Sequence, residues 1–359
     1  MKEQSANIHG LTEIPQPYQE WVSQRNYQIG RILTEMIGET ITVATRPVTR
    51  DEVPKGLFYG TVVEDPTHVH KDILHPSTLD SEESFAQRLR MGGLVLPGVR
   101  VTSPSEVCAG YKKLKKGATV RAKQVDCSDG QGQYKIGSKR EAKRIARKLQ
   151  DVLDNQGMIL ESQIKDPKTI SIGFGVIGDE QYSFIAHQRD EKFIAYDPDL
   201  DEDTERNRYM GADVTVARGD ISSLRKLESI TQEEQKAIDT AQAFYALFKE
   251  EYGIRTTRIS FDYMYGNKEK RYGRKGGMIG GITDITARPG GTDPALVLAA
   301  RELQKDPSLT SVSATVKLDY TNSEEVPENA TMFIADPDLV AFAYITSKTG
   351  LLLPEEVAA

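Results

Sequence analysis

Ile282–Pro294 reads ITDITARPGGTDP. In an extended chain, side chains two residues apart point to the same side. Asp284, Thr286 and Arg288 therefore form one polar row, flanked by Ile282 and Ile285. The row runs into Pro289-Gly290-Gly291-Thr292, and Asp293-Pro294 predicts a helix with an N-cap acid and proline at N1. Metal-ligand oxygens and one guanidinium, leading into bare backbone amides, suit a magnesium-bound phosphate. The chemistry of the chain is expected here.

Upstream, Ile259–Tyr265 (ISFDYMY) places a single acid, Asp262, in an apolar and aromatic strand. A carboxylate there is costly unless it is paired or binds a cation. Asp262 and Asp284 lie 22 residues apart, so two antiparallel strands joined by Gly266–Gly277 (GNKEKRYGRKGG) would set them side by side. Two adjacent carboxylates repel unless a divalent ion lies between them. The joining loop carries Lys268, Lys270, Arg271, Arg274 and Lys275 against Glu269 alone. It reads either as a solvated hairpin tip or as a mobile lid over anionic ligands, with Arg271 and Arg274 binding substrate.

Two earlier segments could serve a nucleotide. Val120–Ile136 (VRAKQVDCSDGQGQYKI) ends a strand on Lys123 and follows it with a loop containing Gly130, Gln131 and Gly132. A lysine under a flexible flap of backbone amides suits phosphates, and a glycine turn in a plain hairpin fits the same residues. It is neither a P-loop nor a dinucleotide fingerprint, because the lysine precedes the glycines and no helix opens from the loop. Met158–Ile164 (MILESQI) leads apolar residues into Glu161, then Ser162, Gln163 and Ile164. Such a segment can hold a base with its backbone and a ribose hydroxyl with its acid, or can simply be a strand end.

Capping signals predict helices after Ser103, Ser138, Thr231 and Asp293, the first three as capping boxes with Glu106, Glu141 and Glu234. Strand-length segments fall at 118–122, 158–161, 169–177, 181–187, 213–217, 257–264, 280–287, 309–318 and 331–335. Alternation places Ile170, Ile172 and Phe174 on one face. Strands at 41–45 and 57–63 and helices over 18–37 and 82–91 are expected before residue 100. Strand and helix alternate early and antiparallel strands dominate later, so the fold class is α/β (α+β).

The 359 residues can bury a large core, and 38% hydrophobic with 28% charged residues describe a globular protein. No apolar run approaches a membrane span, and the N-terminus lacks a signal-peptide core, so a cytoplasmic protein that does not bind membranes is expected. A net charge of −7 argues against nucleic acid. Acid concentrates at Asp197–Glu205 and base at Lys112–Lys116 and Lys139–Lys148, runs that read as solvated faces. Cys108 and Cys127 cannot form a disulfide framework. His68, His70 and His75 have partial zinc spacing without a placed carboxylate, and Cys127 has no histidine partner. His187 ends a strand, facing either the site or a structural partner.

The order of these fragments resembles the ATP-grasp superfamily over roughly residues 80–305. The glycine flap follows the lysine, then come a Glu-bearing hinge, a strand aspartate and Asp-x-Thr-x-Arg with Gly-Gly. The likeness is closest to uncharacterised bacterial biotin-carboxylase-like members, through Ser171-Ile172-Gly173, His187-Gln188-Arg189, Ala217-Arg218-Gly219-Asp220 and Arg288-Pro289-Gly290-Gly291. The resemblance implies an N-terminal pre-ATP-grasp-like domain (1–100), a small lobe with the flap (101–165) and a large lobe (166–359). It implies ATP on Lys123, Gly130, Gln131, Gly132, Glu161, Ser162, Gln163 and Ile164. It implies Mg2+ on Asp262, Asp284 and Thr286, with Arg288 as the catalytic arginine and Gly290, Gly291 and Thr292 on the substrate. The implied reaction is ATP-dependent joining of a small-molecule acid to an amine through an acyl phosphate, in an enzyme expected to be a homodimer. A carboxylase, a small-molecule kinase and a catalytically degenerate nucleotide-binding protein are the alternatives. Three positions depart from the pattern: Asp284 stands for the usual Glu, Thr286 for Asn, and Ser81 for an early lysine that Lys71 or Arg88 would replace.

Overall fold

The computed structural model describes residues 7–9, 18–53, 56–65, 71–77, 84–115, 119–125, 132–197, 200–269, 275–322 and 325–350. The chain opens with β1 (Asn7–His9), α1 (Tyr18–Ile37) and the short strands β2 (Ile41–Ala44), β3 (Val48–Thr49), β4 (Leu57–Tyr59) and β5 (Thr61–Val63). Ile29, Ile32 and Leu33, with Met36 behind them, give α1 one apolar stripe at helical spacing, and the first three are fully buried. Helix α2 (Phe85–Met91) follows, capped by Ser84, and ends in a turn at Gly92-Gly93, after which Val95 bridges Ile282.

A four-stranded antiparallel sheet comes next. It is built from β6 (Gly98–Val101), β7 (Val120–Gln124), β8 (Gln133–Ile136) and β9 (Met158–Ser162) in the order β6-β9-β7-β8. Helices α3 (Pro104–Lys115), α4 (Lys139–Lys148) and α5 (Gln150–Asn155) cover it. The Ser138–Glu141 capping box starts α4 as the sequence predicts.

The remainder forms an eight-stranded sheet from β10 (Ile164–Ile177), β11 (Glu180–Asp197), β12 (Glu202–Arg218), β14 (Arg258–Glu269), β15 (Lys275–Thr286), β16 (Leu309–Asp319), β17 (Thr331–Asp336) and β18 (Leu339–Gly350). The strand order is β15-β14-β10-β11-β12-β16-β18-β17. The two-residue β13 (Arg255–Thr256) instead pairs with β5. Helix α6 (Gln232–Tyr252), closed by Gly253 in the left-handed region, packs on one face among Ile170, Ile172, Phe174 and Phe261. Helix α7 (Asp293–Lys305) packs on the other with α1. The first hundred residues share both cores, α1, β2 and Tyr59 with α7, and α2 with α6.

Four expectations from the sequence need correction. Asp293 is the first residue of α7, not its cap; Thr292 precedes the helix. Residues 266–269 and 275–277 are strand, paired Gly266↔Ile279, Asn267↔Met278 and Glu269↔Lys275, so the ladder runs further into the basic hairpin than a loop over Gly266–Gly277 allows. Arg271 and Arg274 lie outside the described residues. Strands β11 and β12 continue past the sheet as a two-stranded arm, and β18 lies beyond the strands that the apolar pattern marks. The arm also partners the charge runs with each other. Leu200 at its tip is buried among α3, α4 and α5 residues, Glu202 pairs with Arg144 at 2.9 Å, and Lys148 donates to the Leu200 carbonyl. Through this exposed pair and this hydrogen bond the acidic and basic runs tie the arm to the small sheet as well as facing solvent.

Candidate functional site

The site lies on the α7 face of the large sheet, beyond that helix's N-terminal end. Register and burial place it there. Phe261 and Ile285 point into the α6 core, so Asp262 and Asp284, one residue away on alternating strands, point to the α7 face. The two acids are direct cross-strand partners in β14 and β15. Facing residues of this kind hold their Cβ atoms about 4.5–5.5 Å apart. The side-by-side arrangement expected from the 22-residue spacing is therefore what the strands adopt, and the Thr286↔Ser260 pair extends the row.

Asp262 is anchored by Ser171 Oγ, which donates to its Oδ1; Gln188 Nε2 donates to Ser171 Oγ at 2.6 Å. Burial, reinforced by the neighbouring Asp284 charge, pushes the Asp262 carboxyl up to about 6 despite these hydrogen bonds. Asp284 Oδ1 accepts from the Ile285 amide at 2.8 Å. An all-oxygen donor set with mutual repulsion is what a hard divalent cation relieves. Among the described residues no third acid, histidine or cysteine stands close enough to complete a ligand group. That fits Mg2+, which keeps waters and phosphate oxygens among its ligands.

The small sheet reaches this row through Lys123. Its Nζ donates to the carbonyl of Thr283, the residue before Asp284, at 3.1 Å and pairs with Glu161 Oε1 at 3.0 Å. Glu161 is fully buried and also bound by Arg121 at 2.7 Å and His75 at 2.9 Å. Burial alone would raise its carboxyl, but Lys123, Arg121 and His75 outweigh that and hold it well below the ordinary range. Both carboxylate oxygens of Glu161 thus have protein partners, and His75, discounted as a zinc ligand, is one of them. In the hinge, the Gln163 amide donates to the Thr119 carbonyl and its carbonyl accepts from Glu269. The Ser162 amide donates to the Pro97 carbonyl, while its buried hydroxyl has no partner among the described residues. Ile164 pairs with Lys268. Gly132 has φ +59 and its carbonyl accepts from Gln124; Gly130 and Gln131 lie outside the described residues, as do His68, His70, Ser81 and Cys127.

The turn after the acid row is held from below. Arg258, fully buried, binds Asp293 through two hydrogen bonds of 2.6 and 2.7 Å, and Tyr59 donates to the same carboxylate at 3.2 Å. Asp293 Oδ2 accepts the Gly290 amide at 2.6 Å. The amides expected to be bare are thus partly used: Asp293 folds back on its own turn and takes Gly290. Arg25 of α1 donates to the Pro289 carbonyl at 3.1 Å. The Tyr209 ring lies against Gly291, where a Cβ would come within 2.4 Å of it. Arg288 has no side-chain hydrogen bond or ion pair among the described residues. Arg88 pairs with Glu251 and His187 with Glu234 on the α6 face, away from the row.

The family model described as "Protein of unknown function (DUF3182)" matches residues 49–344. The chain belongs to that family. No curated protein matches it. Among solved structures it is similar to the biotin carboxylase domain of Hydrogenobacter thermophilus 2-oxoglutarate carboxylase, determined with MgADP, ADP and bicarbonate. That match has 10% identity and a TM-score of 0.52, over 81% of this chain and 65% of that one. A Staphylococcus aureus N5-carboxyaminoimidazole synthetase complexed with ADP matches at 9% identity and a TM-score of 0.48, over 88% and 79%. D-alanyl-alanine synthetase A of Vibrio cholerae matches at 10% and 0.39, over 70% and 64%. The chain has the ATP-grasp fold, a mixed α/β architecture. No helix among the described residues is long and apolar enough to cross a membrane.

Proposed function

We propose that this protein is an ATP- and Mg2+-dependent carboxylate–amine ligase that works through an acyl phosphate. The observation carrying this reading is the facing pair Asp262 and Asp284, with Lys123 bound to the Thr283 carbonyl beside them. Asp262, Asp284 and Thr286 would hold Mg2+, which supplies charge neutralisation on the phosphoryl group. Lys123 is one lysine shared between Glu161 and Thr283, and it can exchange the latter for a phosphate oxygen without leaving its strand. Ser162, Gln163 and Ile164 would line the base, with Glu161 holding Lys123 in place beneath them, and the glycine loop would be the flap that excludes water. Arg288 stabilises the charge of the transferring group, and the turn at Gly291 and Thr292, fixed by Arg258 and Asp293, receives the acid.

Hydroxylamine trapping tests the reaction class. Incubated with MgATP, hydroxylamine and a panel of amino and dicarboxylic acids, the protein should yield one hydroxamate per ADP with at least one acid. Arg288→Ala should remove both products. ADP release without hydroxamate from any acid, or no ADP at all, contradicts the ligase reading. Lys123→Ala should weaken ATP binding by about 1–3 kcal/mol, the scale of a lost charged hydrogen bond.

A further inference from the structure

Asp190 and Tyr209 are direct antiparallel partners in β11 and β12, at the bulge where the arm leaves the large sheet. Cross-strand partners share a face. Asp190 is two residues beyond Gln188, whose amide belongs to the Asp262 network, so the pair stands one strand repeat, about 7 Å, along from it. The Tyr209 ring packs against the α7-side core, but neither the Asp190 carboxylate nor the Tyr209 hydroxyl has a polar partner among the described residues. Asp190 makes no ion pair or hydrogen bond among the described residues. The Tyr209 hydroxyl is closed from solvent and has no hydrogen-bond partner among the described residues, while its ring is fixed against Gly291.

A buried hydroxyl without a partner costs free energy that a ligand would recover. The surroundings choose that ligand. Asp262, Asp190 and Asp293 act on the Tyr209 phenol more strongly than the one cation there, Arg25, and of the three only Asp293 is ion-paired among the described residues, with Arg258, so a second anion would meet net negative charge. A protonated amine meets the opposite: a carboxylate and a phenol oxygen, both acceptors for its N–H donors. We propose that Asp190 and Tyr209 form the subsite for the amine substrate, holding a cationic primary nitrogen beside the Asp262–Asp284 pair. As an assignment of substrate class it rests on the ligase reading, but the binding it requires does not depend on nucleotide.

The test uses methylammonium chloride as the probe, with sodium and tetramethylammonium chloride at equal ionic strength, and reads the thermal midpoint of the whole protein. Tetramethylammonium carries the charge without an N–H. The parent should be stabilised by methylammonium beyond both controls. Asp190→Asn should weaken the apparent affinity at least about tenfold, the effect of a lost charge-assisted hydrogen bond, and Tyr209→Phe should weaken it less. Without probe, Tyr209→Phe should melt no lower than the parent, because the lost hydroxyl has no partner among the described residues. A parent that responds equally to all three salts overturns the subsite, as does an Asp190→Asn protein that keeps the methylammonium response. A separate MgATP titration on the parent keeps failure of the nucleotide reading distinguishable.

Discussion

Asp262→Asn should stabilise the metal-free protein, and the structure sets the size of the effect. The Asp262 carboxyl sits at about 6 in the fold, against 3.8 when unperturbed, because burial and then Asp284 disfavour its charge. A carboxyl raised in this way binds its proton more tightly folded than unfolded. Its contribution is therefore neutral below pH 4, turns increasingly unfavourable as pH rises through 6, and is complete above it. The rise of about two units is worth at most about 3 kcal/mol. Partial solvent access reduces that, and the amide accepts less well from Ser171 Oγ, an offset of about 0.5–1.5 kcal/mol. A net gain of about 1–2 kcal/mol remains, a rise of roughly 1–3 °C for a chain of this size. Calorimetric melting in a chelating buffer at pH 4.5 and pH 8 measures it. The variant should gain on the parent only at pH 8. Equal stability at both pH values, or a variant less stable at pH 8, would refute the reasoning about the acid pair.

Glu161→Gln should cost about 3–5 kcal/mol by leaving Arg121 and Lys123 without their shared counter-charge in a dry site; denaturant unfolding reads it, and a loss below 1 kcal/mol would show the cluster relaxing. Leu200→Ala should cost about 2–4 kcal/mol and raise amide exchange in α4, since it empties the arm's anchor. Arg144→Ala at the same junction should cost less than about 1 kcal/mol, because its pair with Glu202 is solvent-exposed.

Much of the site was legible because strand alternation carries chemistry directly. Asp284 and Thr286 share a face by two-residue periodicity within β15, which ends before Arg288, and the 22-residue spacing to Asp262 implies one hairpin register. Capping-box sequences likewise marked the starts of α3, α4 and α6, and the reciprocal box forms at α4 and α6, where side chain and backbone satisfy each other locally. What escaped depends on residues distant in sequence. Nothing near Arg258 says that Asp293, 35 residues later, will meet it, and that meeting turned an expected N-cap into a buried ion pair. His75 and Glu161 are 86 residues apart. The β11–β12 arm was hidden because its charged, two-sided strands show no apolar alternation. Tyr209 gave no signal, because an unpartnered hydroxyl is a property of packing alone.

The facing acids, with Lys123 beside them, are the proposed seat of a magnesium nucleotide. Isothermal titration of ATP into the parent and into an Asp262→Asn/Asp284→Asn double variant, each with and without magnesium, tests it directly. Magnesium should tighten ATP binding to the parent at least about tenfold, the scale of one charged hydrogen bond. The double variant should remain folded, bind ATP weakly and show no dependence on magnesium. A parent that binds no ATP, or a double variant whose magnesium dependence matches the parent's, would contradict the account.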